Sequence, residues 1–293
     1  MTTCLDVVNE SRSLVNGAQM DPVTQLLAPY SPGDSTLALR STAGITTGTL
    51  LSVGLTTFVC VADPSSSSVE VIAGPDGSQA VSHPGNSIVW VKPRFTNYSL
   101  WLALRSAISE MNAAPSGMYG VGRFEPVIDG DESALAIPLS VTDLLKVLEV
   151  RRRPAGGYFE NTWDQILGWE LKNNAGGGQV IRLTVPVSRS DTVEVIYAKR
   201  FTSPSSLDDD LETDVGLSPT MGDIPALLIA SRMLVSAEGR RVRTDLQGEG
   251  RRPGEVREAS VAQSGREFRR IAESRMRDEA LSLVRSYGFR RQM

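Results

Sequence analysis

Hydrophobic positions along this chain switch between a helical and an alternating spacing, and the switches predict its elements. Residues 3–15 carry Leu5, Val8, Arg12 and Val15 at helical spacing, with Thr2 or Thr3 able to cap and Gly17 placed to stop the helix. From Ala28 to Val91 the spacing falls to two. The runs STLAL, TLLSVG, TTFVCVA, VEVIAG and SIVWV are separated by SPGD, AGITTG, DPSSSS and GPDG. That pattern predicts a small antiparallel barrel or sandwich of about five strands. After KPRF the helical spacing returns. Thr96 or Asn97 can cap, Phe95 can staple, and Leu100, Trp101, Leu104, Ile108 and Met111 form one apolar stripe.

The segment NAAPSGMYGVG breaks that helix and opens a second β region. Candidate strands are ALAIPLS, LLKVLEVRR, ILGWELKN, QVIRLTVPV and TVEVIYAKR, joined by the turn sequences RPAGG, NNAGGG and SRSD. They predict a β-sandwich of about five or six strands. Within LLKVLEVRR, alternation does not decide between Leu145, Val147 and Glu149 or Lys146, Leu148 and Val150 as the inward set. A polar, acidic stretch follows and reads as a solvated linker. Asp223 then caps a helix with Pro225 in its first turn, and Leu227, Leu228, Ala230, Ser231, Leu234 and Val235 are able to bury. Beyond TDLQGEGRRPGEV, a last helix of about 25–30 residues carries Val261, Phe268, Ile271, Met276 (or Arg275), Leu281 and Val284 as an intermittent apolar face. Its charges include the spaced pairs Glu273–Arg277 and Arg266–Arg270, the second of like sign.

The order helix, β, helix, β, helix, helix predicts an α+β fold: a four-helix hub, two antiparallel β-sandwich or barrel insertions, and a long C-terminal helix and arm. The expected divisions are a hub helix at 1–20, a small β module at 21–93, a hub helix at 94–114 and a second β module at 115–203. An acidic linker at 204–222 and the hub helix with Arg-rich helix and arm at 223–293 complete them.

Composition narrows the function. A hydrophobic content of 41% and a charged content of 22% suit a globular chain, and no apolar run approaches the ~20 residues of a membrane helix. The first residues have neither a basic start nor an apolar core, so secretion is not expected. Cys4 and Cys60 stand alone, which excludes a cysteine-rich metal site. The net charge of −4 hides an asymmetry. From Arg232 onward there are 15 Arg, no Lys and 9 acidic residues, a net of +6, so the first 231 residues carry −10. Guanidinium suits forked pairing with carboxylates or phosphates, although the interleaved acids also fit a solvated helix with internal ion pairs.

Candidate chemistry is sparse. His83 is the one histidine, sitting before Pro84 and Gly85, and reads as a turn residue; as a general base it would have to work alone. No nucleophile elbow, zinc helix, P-loop or dinucleotide fingerprint occurs, and AGGGQ at 175–179 lacks the strand-to-helix setting of a phosphate loop. Asp129, Asp131, Glu132, Glu160 and Asp164 offer carboxylates without a constraining pattern. Asp208, Asp209, Asp210, Glu212 and Asp214 lack the order of a calcium loop. Arg151, Arg152 and Arg153 could touch phosphate or guard a strand edge, and Trp163 and Trp169 could stack a sugar or fill a core. No catalysis, cofactor or metal is expected.

Three stretches carry a resemblance: YSPGDSTLALRSTAGITTGTLLSVG, GPDGSQAVSHPGNSIVWVKPRF with its helix, and YAKRFTSPSSLDDDLETDVGLSPTMGDIPALLIASRMLVSAEGRR before the Arg-rich helix. In layout and phrase these resemble tailed-bacteriophage virion proteins encoded among head and neck genes, most closely the head-to-tail adaptors (connectors). The resemblance implies a neck protein made in the bacterial cytoplasm that forms a ring, typically of 12 copies, beneath the portal. Its implied partners are further copies of itself, the portal protein, a tail-side neck or tail-terminator protein and passing double-stranded DNA, with no membrane. The two β modules depart from the smallest adaptors, which leaves a collar, tail-proximal or carbohydrate-binding virion role as the alternative. For portal docking the candidates are Leu283, Arg285, Tyr287, Phe289, Arg290 and Arg291, aromatic and Arg residues of the kind that dominate interfaces. Arg240, Arg241, Arg251 and Arg252 are the DNA-channel candidates, expected to be salt-bridged or loosely placed, because many gripping contacts would trap a sliding polyanion.

Overall fold

The computed structural model describes residues 2–17, 21–113, 116–130, 132–154, 162–173, 179–247 and 260–287, without the side chains of 132, 238–247 and 260. The chain forms two compact units, each discontinuous in sequence: Met1–Glu110 with Ser203–Arg275, and Met111–Thr202 with Met276–Met293.

In the first unit, α1 (Cys4–Asn16) starts at a capping box. The Thr3 hydroxyl accepts from the Asp6 amide at 3.3 Å, and the Asp6 carboxylate accepts from the Thr3 amide at 2.8 Å. Gly17 ends the helix in a positive-φ conformation. Cys4, Val7, Val8, Ser11, Arg12 and Val15 are buried. Leu5, expected on the inner stripe, is instead exposed. Cys4 takes the inner position of the first turn instead, where residues 2–5 bond to the 207–211 backbone, as in Leu5 N–H to Leu207 O at 2.9 Å, while Val8, Arg12 and Val15 are buried as expected.

Six antiparallel strands follow in the order β1-β6-β3-β4-β5-β2: β1 (Val23–Gln25), β2 (Thr36–Ala38), β3 (Leu50–Val53), β4 (Thr56–Cys60), β5 (Ser68–Ala73) and β6 (Ile88–Val91). The two ends of the sheet meet: Leu26 opposes Leu39, with Leu27 N–H to Ala38 O at 2.8 Å and Arg40 N–H to Gln25 O at 2.9 Å. The sheet therefore curls onto itself as a small barrel and leaves few unpaired edge groups. Its core holds Leu26, Leu37, Leu39, Leu51, Val53, Phe58, Val69 and Val89. The short β1 carries too few residues to show a period, so the sequence predicts five strands where six form.

The predicted cap and stripe of α2 (Asn97–Met111) are present. Thr96 Oγ1 accepts from the Ser99 amide at 3.2 Å, and Leu100, Trp101, Leu104, Ile108 and Met111 are all buried. Each such side chain contributes roughly 1.5–3 kcal/mol on leaving water. The stretch read as an acidic linker is folded. Leu211, Val215, Leu217 and Met221 are buried, and its carboxylates serve its own backbone. Asp209 Oδ2 accepts from the Ser205 and Ser206 amides, and Asp210 Oδ1 from those of Glu212 and Thr213. A stretch rich in Ser and Asp reads as solvation in sequence, but these residues also build side-chain turns. A 3-10 turn (Pro219–Met221) leads into α3 (Asp223–Gln247), which packs along α1. Ile224, Ala226, Leu228, Ile229, Ala230, Ser231 and Leu234 are buried, Leu227 half so, while Val235 is exposed. Asp223, expected as the cap, is the first helical residue, and its carboxylate accepts from Arg275 Nε at 3.0 Å. The last helix is α4 (Ser260–Tyr287).

The second unit holds β7 (Gly120–Phe124), β8 (Glu132–Ala136), β9 (Leu144–Arg153), β10 (Asp164–Gln165), β11 (Trp169–Asn173), β12 (Gln179–Val187) and β13 (Thr192–Lys199). They form a four-stranded sheet, β10-β9-β13-β7, and a three-stranded sheet, β11-β12-β8. Val147, Val150, Val193 and Val195 of the first share a core with Leu135, Ile181 and Leu183 of the second, so this unit is a sandwich of seven described strands rather than five or six. β9 explains why alternation failed there. Its register against β13 slips twice, so that Leu148 and Leu145 have no direct partner, and Val147 and Val150, three apart, both point inward. The fold is thus α+β: helices in a hub, antiparallel β insertions and a long C-terminal helix.

Candidate functional site

Glu110, in the last turn of α2, joins three helices of the first unit. It accepts from Arg232 of α3 at 2.6 Å and from Arg269 of α4. Arg232 also reaches Ser106 O, and Arg269 continues to Glu273 at 2.7 Å. Burial raises the Glu110 carboxyl, but the bonds from Arg269 and Arg232 outweigh it and hold the group below the usual glutamate range. Near Gly265 of α4, a Cβ would meet Ser231 O of α3 at 3.0 Å, so the two backbones approach closely there. Arg275 clamps Asp223 and the Thr220 carbonyl.

Glu110→Gln should lower stability by about 1–2 kcal/mol at neutral pH, because one neutral amide cannot satisfy two guanidiniums. The carboxyl is depressed in the folded state, so its contribution is full above the unfolded value and fades as pH falls through the folded one. Urea midpoints of wild type and variant should therefore converge in acid.

These contacts fix which side of α4 is spent. Gly265, Ala272 and Met276 are buried and Val261, Phe268, Leu283 and Tyr287 half-buried, whereas Ile271, Leu281 and Val284 are exposed. The predicted apolar face is therefore split: its inward line runs through small residues that the hydrophobic count passed over. The predicted charge pairs also differ. Glu273 is taken by Arg269, not Arg277, and Arg270 binds Glu267 instead of opposing Arg266. Arg269, turned toward Glu110, lies one turn before Glu273.

Of the portal-docking candidates, Leu283, Arg285 and Tyr287 lie in the last turns of α4, Arg285 exposed; Phe289, Arg290 and Arg291 lie outside the described residues. Burial, and secondarily Tyr287, pushes the Tyr119 hydroxyl up, so Tyr287 sits toward its own unit. Arg240 and Arg241 fall on α3, and Arg251 and Arg252 lie outside the described residues.

The chemical candidates resolve into structure. His83 is buried, its Nε2 2.9 Å from Thr56 Oγ1, and its backbone exchanges two 2.9 Å bonds with Tyr30. Burial lowers its pKa, which leaves a neutral ring stacked on Tyr30 inside the barrel. Cys4 is pushed up to about 12 by burial and then by Asp209, Asp210 and Asp214, and Cys60 to about 11 by burial, so neither is a ready thiolate. Arg151 pairs with Glu194 across β9 and β13, Arg152 lies 4.0 Å from Asp191, and Arg151 and Arg153 both stack on Trp163. Trp169 packs against the sandwich core. Of the scattered carboxylates, Asp164 sits in β10 opposite Arg152 and Glu132 in β8, while Asp131, Glu160 and residues 174–178 lie outside the described residues. Among the described residues, no group of three or more His, Cys, Asp or Glu could hold a metal ion.

No family model and no curated protein matches the chain. Among solved structures, it is similar to a chain in the neck of a native GTA particle computed with C12 symmetry: 16% identity, 58% of this chain and 81% of that one, TM-score 0.21. The neck of an empty GTA particle computed with C6 symmetry gives 14%, 58%, 79% and 0.22. The virion of a native gene transfer agent (GTA) particle gives 15%, 59%, 77% and 0.22. Overlaps this loose establish neither a shared fold nor a shared role.

Proposed function

We propose that the chain is a virion structural protein of the head-to-tail adaptor kind, assembling as a ring, of 12 copies in the reading favoured by its sequence phrases, between portal and tail. The observation that carries this reading is α4. One side of it is spent on the hub through Gly265, Ala272 and Arg269, while the other leaves Leu281, Val284 and several guanidiniums in solvent, ahead of a basic C-terminal stretch. Such a helix has its remaining partners on other molecules. In this reading Arg285 and the residues after α4 dock on the portal, Arg240, Arg241, Arg251 and Arg252 pass near DNA without reading sequence, and a tail-side neck protein meets the opposite end.

Because Leu283 and Tyr287 are half-buried, the clean test removes only residues 288–293. The truncated chain should keep the wild-type melting temperature and lose co-sedimentation with portal. Undiminished portal binding would rule out the arm.

A further inference from the structure

At 100° per residue, Arg266, Arg270, Arg277, Leu281 and Val284 fall within about 60° of one another on α4. All five are exposed. Of its cations, Arg270 is paired with Glu267, while Glu273 is taken by Arg269, which leaves Arg266 and Arg277 with no acceptor among the described residues. The result is a stripe of guanidiniums that passes into a pair of apolar side chains.

A surface of the opposite kind lies on the first unit, where residues 2–5 are bonded to 207–211. Asp6 and Glu10 of α1 and Asp208, Glu212 and Asp214 of the adjoining segment are exposed. Residues 203–231 contain no Lys or Arg, and the one cation of α1, Arg12, is buried. Burial, and then the charge of Asp223, raises the Glu10 carboxyl, although Asp223 itself is paired with Arg275. Leu5 is 36% exposed at this surface, an apolar point within the acids.

We infer that the outward stripe of α4 docks on the α1 and 205–214 acidic surface of a second copy of this chain. Each has what the other lacks: Arg against Asp and Glu, Leu281 and Val284 against Leu5. Since the two surfaces are different patches, the contact is heterologous and propagates from copy to copy, closing if the rotation allows. The inference rests on the self-association proposed above and names the surfaces that meet. Nucleic acid could satisfy the stripe but not the acidic surface, which favours a partner carrying both.

The test is charge exchange in the full chain, read as assembly state by sedimentation velocity and mass photometry at physiological salt. Arg266→Glu with Arg277→Glu, and separately Asp208→Arg with Glu212→Arg, should each weaken assembly by about tenfold or more, since apposed like charges are strongly unfavourable. All four changes in one chain should restore it. Wild-type assembly by both double variants would overturn this interface and leave the self-association reading standing. A wild type that stays monomeric at all concentrations, with or without portal, would overturn both. Assembly lost in the Arg266 and Arg277 variant but not restored by exchange, together with lost retention of a labelled 30-base-pair duplex, would assign the stripe to nucleic acid and overturn the inference.

Discussion

Arg12→Ala is expected to destabilise the first unit by about 3–5 kcal/mol, the cost of removing one partner from a buried ionic contact. Arg12 is 5% exposed, although it carries a full charge. Its Nη1 donates to Asp21 Oδ2 at 3.0 Å and to Phe95 O at 3.2 Å, its Nη2 donates to Asn97 Oδ1, and its guanidinium lies 4.3 Å from the centre of the Trp90 ring. Those partners belong to the entry of β1, the end of β6 and the start of α2, so one side chain ties α1 to both barrel and hub. Burial lowers the Arg12 pKa and the Asp21 bond opposes that. Alanine would leave Asp21, whose side chain is 11% exposed, as an uncompensated carboxylate, with two further oxygens unpaired. Lysine should recover only part, because an ammonium can pair with Asp21 but cannot fork to Asn97 and cover Trp90 at once. Arg12→Met with Asp21→Asn should sit nearer wild type than Arg12→Ala, since no charge is then stranded. Urea unfolding followed by Trp fluorescence checks the series. An alanine variant within 1 kcal/mol of wild type would show the contact to be dispensable.

Arg12 also marks where sequence reading stops. Its position on the α1 stripe is visible from spacing, but its partners Asp21 and Asn97 are a matter of tertiary approach. The same division holds elsewhere. The α2 stripe and cap, the strands β3 to β6 and the exact span of β12 follow from period and turn chemistry, which act locally. What was not legible depended on backbone pairing or on close contact. β1 is recognisable only because β6 lies beside it. The acidic segment folds because Asp209 and Asp210 find amides within their own turns. On α4, counting apolar residues placed Ile271, Leu281 and Val284 inside, whereas the hub selects Gly265 and Ala272, where small size allows approach. Glu110 has no signature at all, since neither Arg232 nor Arg269 lies near it in sequence.

Gly122→Val is the second large effect expected, a loss of roughly 3 kcal/mol or more from the sandwich, at the upper end of overpacking costs. Gly122 sits in β7 directly opposite Tyr197 of β13, and Tyr197 lays its ring across the glycine. A Cβ there would lie 2.4 Å from Tyr197 Cζ and 2.7 Å from its hydroxyl oxygen. The ring has little room to retreat: it is 7% exposed and packs at 5.7 Å from Phe124. Since β7 pairs with β13 alone, the strand can answer the clash by leaving the sheet, exposing Phe124 and the hydrogen-bonding groups of β13. Valine favours strands, so propensity by itself predicts a gain. The sign of the measured change separates the two effects. Removing the ring supplies the control: Tyr197→Leu should cost stability alone, yet Gly122→Val should become nearly neutral on that background, a coupling of at least about 2 kcal/mol in a double-mutant cycle. Additive single and double variants would mean that the ring does not determine the glycine.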